Sequence, residues 1–187
     1  MEKFYFFENH MKNILSILSR KDKHRVSGFT LIELLIVITI IAIFSGAGVA
    51  SYTGSQKAAR DAKRKGDLRT LQLALQQYYA DNLSYPIITT WSGESTGFGS
   101  HTADYIPDLV PKYIERLPND PRANKSYSPC DDPSITGYVY RSNGQDFKLL
   151  ASCGPEGNYG SAATNPFYDP TRPSTAWQVS TPGAVGW

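Results

Sequence analysis

Residues 27–50 read SGFTLIELLIVITIIAIFSGAGVA. Gly28 precedes an aromatic residue, Phe29, and an apolar run of 22 residues extends from Phe29 to Ala50 with one carboxylate, Glu33, inside it. As a helix this run reaches roughly 33 Å, enough to cross a bilayer core of about 30 Å. It is too long for the short apolar region of a secretory signal. Its small residues, Gly46-Ala47-Gly48-Val49-Ala50, are of the kind found at signal cleavage sites. An ordinary signal anchor and a long cleavable signal are therefore the alternatives, and they explain neither Gly28-Phe29 nor Glu33. A carboxylate at the start of a membrane-length segment is costly unless paired. No Lys or Arg lies between Phe29 and Ser55, so the pattern points to a Glu33 partner outside its own neighbourhood or to selection for something other than stability.

Beyond this segment the chain divides by proline. All 12 prolines lie at or after Pro86. The stretch from Phe29 to Asn82 is free to run as one helix of about 80 Å. In its second half Leu68, Leu71, Leu75, Tyr78 and Tyr79 recur at three- and four-residue spacing and form one apolar stripe. Asp67, Arg69, Gln72, Gln76 and Gln77 fall mostly off it. The stripe predicts a helix face laid on a small sheet. Gly46 and Gly48 are small enough to let helices approach closely in lipid.

Asn143-Gly144 predicts a two-residue type I′ hairpin turn. That register sets Ser142 opposite Gln145, Tyr140 opposite Phe147 and Tyr138 opposite Leu149 on one face. On the other it sets Arg141 opposite Asp146 and Val139 opposite Lys148. The aromatic face is expected on the leucine stripe. Residues 86–129 read as loop with a short helix near Asp104–Tyr113. Residues 154–187 are rich in Gly, Pro, Ser and Thr, with Tyr159, Phe167, Tyr168, Trp177 and Trp187 spread along them. They read as an extended, partly docked tail.

Charge is uneven. Residues 1–28 hold six Lys/Arg against three acids, and residues 29–65 hold five against two. Residues 66–187 hold eight against twelve, a net of −4. A mildly acidic domain lacks the footprint of a duplex-binding surface, so no nucleic-acid partner is expected. The run Lys57, Arg60, Lys63, Arg64, Lys65 reads as a solvated or headgroup-facing helix stretch. Five Lys/Arg in residues 12–28 face five in residues 51–65, so charge alone only slightly favours an N-terminus inside. No Gly-rich phosphate loop, Gly-x-Ser-x-Gly elbow or His-paired nucleophile supports an enzyme.

Gly28-Phe29-Thr30-Leu31-Ile32-Glu33, after the basic Arg20-Lys21-Asp22-Lys23-His24-Arg25, resembles the class III signal of type IV prepilins and pseudopilins. Within that group the chain is most similar to the major pseudopilins of type II secretion. Ala80 to Pro86 resembles the end of their long helix, and Tyr113 to Pro121 their loop ending in Pro-x-Asp-Pro. Asp146 to Leu150 with Gly154-Pro155-Glu156-Gly157 resembles their last strand and following turn, and Trp187 also fits. The chain departs from the pattern at Ala50, where proline is frequent, and at Arg122-Ala123, where Trp-Gly is usual.

The resemblance implies an α+β, pilin-like fold: a long N-terminal helix, membrane-spanning in its first half and amphipathic in its second, packed on a small antiparallel sheet. Residues 1–28 would be a leader, 29–50 a transmembrane polymerisation helix, 51–82 its amphipathic continuation, and 83–187 an extracytoplasmic domain. It implies cleavage between Gly28 and Phe29 by a prepilin peptidase and methylation of the Phe29 amine. Glu33 would neutralise the Phe29 amine of a neighbouring subunit. Partners would be copies of the chain, minor pseudopilins, an inner-membrane assembly platform and membrane lipid. The subunit would sit in the cytoplasmic membrane, N-terminus inside, before entering a fibre. A type IV pilus subunit for adhesion, motility or DNA uptake shares the same signal. A membrane-anchored carbohydrate-binding module using the tail aromatics is the alternative of another class.

An exported domain with two cysteines, Cys130 and Cys153, reads as having one disulfide, worth about 3–3.5 kcal/mol for a loop of this length. The alternative is two unpaired buried thiols. The family resemblance also suggests calcium near residues 154–169. Only Glu156 and Asp169 offer carboxylates there, with Asn158 as helper and Asp131 and Asp132 as the other nearby candidates. Calcium gathers about six to eight oxygens, so no cofactor is expected, and calcium dependence is expected to be weak or absent. The three histidines, His10, His24 and His101, show no metal-ligand spacing. Met11 opens a more ordinary leader than Met1, and both starts stay open.

Overall fold

The computed structural model describes residues 28–101, 104–127, 130–157 and 159–187, without the side chains of residues 46–51, 100 and 101. The basic leader, the alternative starts Met1 and Met11, and Asn158 lie outside the described residues. So do the side chains of Gly46 to Ala50. The chain forms two compact units, Met1–Ala47 and Gly48–Trp187, each considered by itself below.

The elements are α1 (Leu31–Asn82), β1 (Ile88–Gly93), β2 (Ser100–His101), β3 (Gly137–Ser142), β4 (Phe147–Ser152) and β5 (Ala176–Ser180). Short 3-10 turns occupy Pro133–Ile135 and Pro182–Ala184. In the first unit, α1 begins directly after Thr30, and the side chains from Gly28 to Ser45 are all exposed. Among the described residues, no helix is long and apolar enough to cross a membrane. The expected span 29–50 runs into the residues whose side chains are not described.

In the second unit, α1 buries one face. Leu68, Leu71 and Leu75 are fully buried, with Ala74 beside them. Tyr78 packs on the edge of this cluster. Tyr79 is more exposed and instead stacks on Tyr85, with ring centroids 4.7 Å apart. The stripe meets Tyr138, Tyr140, Phe147, Leu149, Ala151, Trp177 and Val179 of the sheet, and Tyr105, Ile106 and Leu109 of the long loop. Truncating one such leucine to alanine costs about 2–5 kcal/mol.

The sheet order is β2-β1-β3-β4-β5. β1, β3, β4 and β5 are antiparallel neighbours, and the two-residue β2 runs parallel to β1. Side chains alternate across the strands. Tyr138, Tyr140, Leu149 and Ala151 face α1, while Val139, Leu150 and Ala176 form a second cluster with Trp91 and Phe98. At the outer side of β5, Ala176 N–H donates to Arg172 O and Gln178 N–H to Phe167 O, while Gln178 Nε2 donates to Tyr168 O.

Three expectations are corrected. The hairpin forms, but Ser142 pairs with Phe147, Tyr140 with Leu149 and Arg141 with Lys148. The register is thus two residues from the expected one, and the loop is Asn143–Asp146. Asn143 initiates the turn instead of sitting at its centre: its Oδ1 accepts from the N–H groups of Gln145 and Asp146. A shift of two keeps every side chain on its expected face. The helix near Asp104–Tyr113 is replaced by turns. Asp108 has φ +58, outside helical geometry, and Pro111 brings no N–H. The tail supplies a true strand, β5, whose Trp177 is 1% exposed.

Cys130 and Cys153 form a disulfide. It anchors a small cluster with Tyr127, whose hydroxyl donates to Cys153 O.

Candidate functional site

Helix α1 opens with a reciprocal cap. Glu33 Oε2 accepts from Thr30 N at 2.8 Å and from Thr30 Oγ1 at 2.7 Å, and Glu33 N donates to Thr30 Oγ1 at 3.3 Å. This is a capping box, in which the N-cap Thr and the N3 Glu satisfy each other's free groups. The pattern Thr-x-x-Glu was available in the sequence. Glu33 therefore does have a partner within its own neighbourhood, a dipolar one and not a cation. Gly28 and Phe29 lie just ahead of the cap, with Phe29 89% exposed. Among the described residues, a Cβ built on Gly28 meets nothing within 4 Å.

A second constellation lies in the other unit, centred on Arg64, whose side chain is fully buried. Arg64 Nε donates to Asp120 Oδ2 at 2.6 Å and Nη2 to Asp120 Oδ1 at 3.1 Å. Its Nη1 reaches Asp61 Oδ1 at 2.8 Å and Glu156 Oε1 at 3.1 Å. Arg60 binds Glu156 with both Nε and Nη2, at 2.6 and 2.7 Å. Arg122 adds a contact to Glu156 at 3.3 Å. Three guanidinium groups thus meet three carboxylates, and one turn of α1 is tied to the Pro118–Pro121 loop and the Gly154–Gly157 turn. Asp61 also accepts from the backbone N–H groups of Glu156 and Gly157. Burial alone would raise the Glu156 carboxyl, but hydrogen bonds from Arg60 and Arg64 hold it below the usual range.

The basic run is therefore solvated only in part: Lys57 and Lys63 are exposed, and the rest is engaged by the fold. Arg60 and Arg64 are internal ties, Lys63 Nζ donates to Asn119 O, and Lys65 lies over the Trp177 ring. Sequence reading also missed Glu94. Its carboxylate accepts from Tyr138 N at 2.7 Å, Asp120 N at 3.1 Å and Asn119 Nδ2 at 2.8 Å. Burial raises the Glu94 carboxyl despite these bonds. Gly137, at φ +135, makes room for it: a Cβ there would sit 2.8 Å from Glu94 Oε2.

Two of the calcium candidates, Glu156 and Asp169, are engaged by cations of the chain. Glu156 belongs to the arginine hub. Asp169 is fully buried and faces Lys148 at 3.1 Å and Arg172 at 3.2 Å. Burial would raise the Asp169 carboxyl, but hydrogen bonds from Thr171 and Lys148 keep it below the ordinary value. Asp132 Oδ1 caps the Pro133–Ile135 turn through Ser134 N–H, and Asp131 O accepts from Ser126 Oγ. Among the described residues no cluster of three or more His, Cys, Asp or Glu could hold a metal. Of the tail aromatics, Trp177 and Phe167 are buried in the core, which removes them from any carbohydrate-stacking surface.

A helix that opens with Gly-Phe-Thr-x-x-Glu and lays a leucine stripe on a small antiparallel sheet defines a pilin-like protein. Comparison with known proteins sharpens that class. The prokaryotic N-terminal methylation motif matches residues 23–49. The type II secretion system core protein G of Escherichia coli K12 is 32% identical over 148 residues, covering 74% of this chain and 87% of that protein. The protein of the same name from Pectobacterium carotovorum is 32% identical over 72% of this chain and 79% of its own length. The one from Aeromonas hydrophila is 38% identical over 55% of this chain and 72% of its own. The chain belongs to the type II secretion system core protein G family. No solved structure matches it significantly.

Proposed function

We propose that this chain is a structural subunit of the pseudopilus of a type II secretion system. The prepilin is held in the cytoplasmic membrane by residues 29–50, with its N-terminus inside and residues 83–187 outside. A prepilin peptidase cuts between Gly28 and Phe29, and the new Phe29 amine is methylated. The subunit then leaves the membrane for a helical bundle of copies and minor pseudopilins. There Glu33 receives the Phe29 ammonium of its neighbour. The chain is the substrate of an enzyme and carries no catalytic group of its own. Calcium has no part in this reading, because Glu156 and Asp169 are already engaged by arginine and lysine.

The observation that carries the reading is the apolar surface of α1 from Leu31 to Phe44, exposed throughout, with one carboxylate at its start. Such a surface needs a cover, first lipid and then neighbouring helices. N-terminal mass spectrometry of the membrane-extracted protein tests processing: the expected species begins at a methylated Phe29. Glu33 is tested by a pair of variants. Glu33→Gln keeps the capping box, since glutamine serves at that position, but removes the charge. Glu33→Leu removes both. If Glu33 pairs with an ammonium, both variants are cleaved and membrane-resident but assemble few or no fibres. Normal fibres from Glu33→Gln would show that capping, not charge, is what Glu33 supplies.

A further inference from the structure

Lys148 is the second residue of β4, and its side chain is fully buried. By strand alternation it points away from the face that meets α1. Its Nζ lies 3.1 Å from Asp169 Oδ1, 3.0 Å from Thr171 Oγ1, and 2.9 Å from each of the backbone oxygens of Val185 and Trp187. An ammonium has three N–H donors, yet four oxygens surround this one at nearly equal distance. The shell has the character of a cation site more than of a set of directed hydrogen bonds. Arg172 closes it from outside, reaching Asp169 Oδ2 at 3.2 Å and Trp187 O at 3.0 Å.

The spacing of the shell selects its occupant. Calcium binds oxygens at about 2.3–2.6 Å and magnesium at about 2.0–2.1 Å, well inside the 2.9–3.1 Å found here. The shell holds one side-chain carboxylate, and Arg172 already shares it. An ion of ammonium size fits the spacing.

We propose that Asp169, Thr171, Val185 and Trp187 form a monovalent-cation site filled by the chain's own Lys148 ammonium. Shortening Lys148 hands the site to a free monovalent cation and makes the stability of the domain dependent on it. With the lysine in place, residues 181–187 are fastened to the sheet without any ion from solution.

The test uses the full chain in detergent, melted in choline, ammonium, potassium and calcium chlorides at matched ionic strength. Wild type should melt at one temperature in all four. Lys148→Ala should melt lower in choline and recover in ammonium or potassium. An ion present at ten times its Kd raises the folding equilibrium about elevenfold, a shift of several degrees for a domain of this size. Lys148→Met fills the space with an uncharged stem, so it should be destabilised and should gain nothing from any ion. Thr171→Val removes one of the four oxygens and should lower the melting temperature with Lys148 still in place. A Lys148→Ala variant that folds only with ammonium or potassium supports the proposal. One that melts alike in every salt, fails to fold in all of them, or responds only to calcium overturns it. So does a wild type that calcium stabilises.

Discussion

Replacing Arg64 with methionine keeps most of the stem that packs in the core and removes the charge. The consequence can be worked through carboxylate by carboxylate. Glu156 keeps both bonds from Arg60 and the contact from Arg122. Asp61 keeps the two backbone N–H donors of Glu156 and Gly157. Asp120 loses its only guanidinium partner among the described residues and keeps only the backbone N–H of Arg122, at 2.7 Å. Its side chain is 1% exposed, so water cannot take over. Removing one partner of a buried pair costs about 3–5 kcal/mol. This is a large share of the roughly 5–15 kcal/mol that holds a domain together. At about 3 °C per kcal/mol for a domain of this size, the melting temperature should fall by roughly 10–15 °C. Circular dichroism melts of the full chain at neutral pH measure it. Because the stranded group is Asp120, adding Asp120→Asn to Arg64→Met should recover over half of the loss. A single-variant loss below about 1 kcal/mol, or a double variant that is merely additive, would refute this reasoning.

Acid should expose the same hub and the separate Lys148–Asp169 pair. The carboxyls of Glu156 and Asp169 titrate lower in the folded chain than when unfolded, so their contribution is complete above the ordinary carboxylate range of about 4 and is lost as pH falls through the folded values. Glu94 is raised and works in the opposite sense, so Glu94→Gln should steepen the acid loss in a melting series; a shallower one would contradict it. Cys130→Ser should cost about 2–5 kcal/mol in a denaturant titration of the oxidised protein, and an unchanged midpoint would show the bridge to be idle. Gly28→Val should leave full-length prepilin in the membrane. A Cβ there meets no atom of the described residues within 4 Å, so the block is expected to come from the processing enzyme, and normal cleavage beside a peptidase-positive control would sink the idea.

The leucine stripe of α1 was legible because burial on a helix leaves a three-and-four spacing in the sequence. The hairpin was legible as a hairpin, but not in register. Asn143-Gly144 announces a turn without saying whether Asn143 stands at its centre or, through its side chain, at its start. β5 escaped because AWQVS is short, has a glutamine in the middle and follows a Pro/Ser-rich loop; the buried Trp177 was its one signal. The arginine hub was hidden for a different reason. Arg64 looks like one basic residue in a basic run, since the run contains only one of its acids, Asp61. The others lie 56 and 92 residues away. Charge patterning reports neighbours along a helix and is silent on partners brought by the fold. Thr30-x-x-Glu33 was in plain view, yet the cost of a membrane carboxylate drew the reading toward a distant cation.

A subunit meant to crowd against many copies of itself runs a hazard: any bare strand is an invitation to add another, and growth by that route would compete with growth through helices. Here the outward N–H groups of Ala176 and Gln178 are already spoken for by Arg172 and Phe167 of the same chain. At the opposite margin the last strand is only two residues long. Sideways stitching of sheets is thereby discouraged at both margins, and the exposed apolar stretch of α1 is left as the surface with most to gain from company.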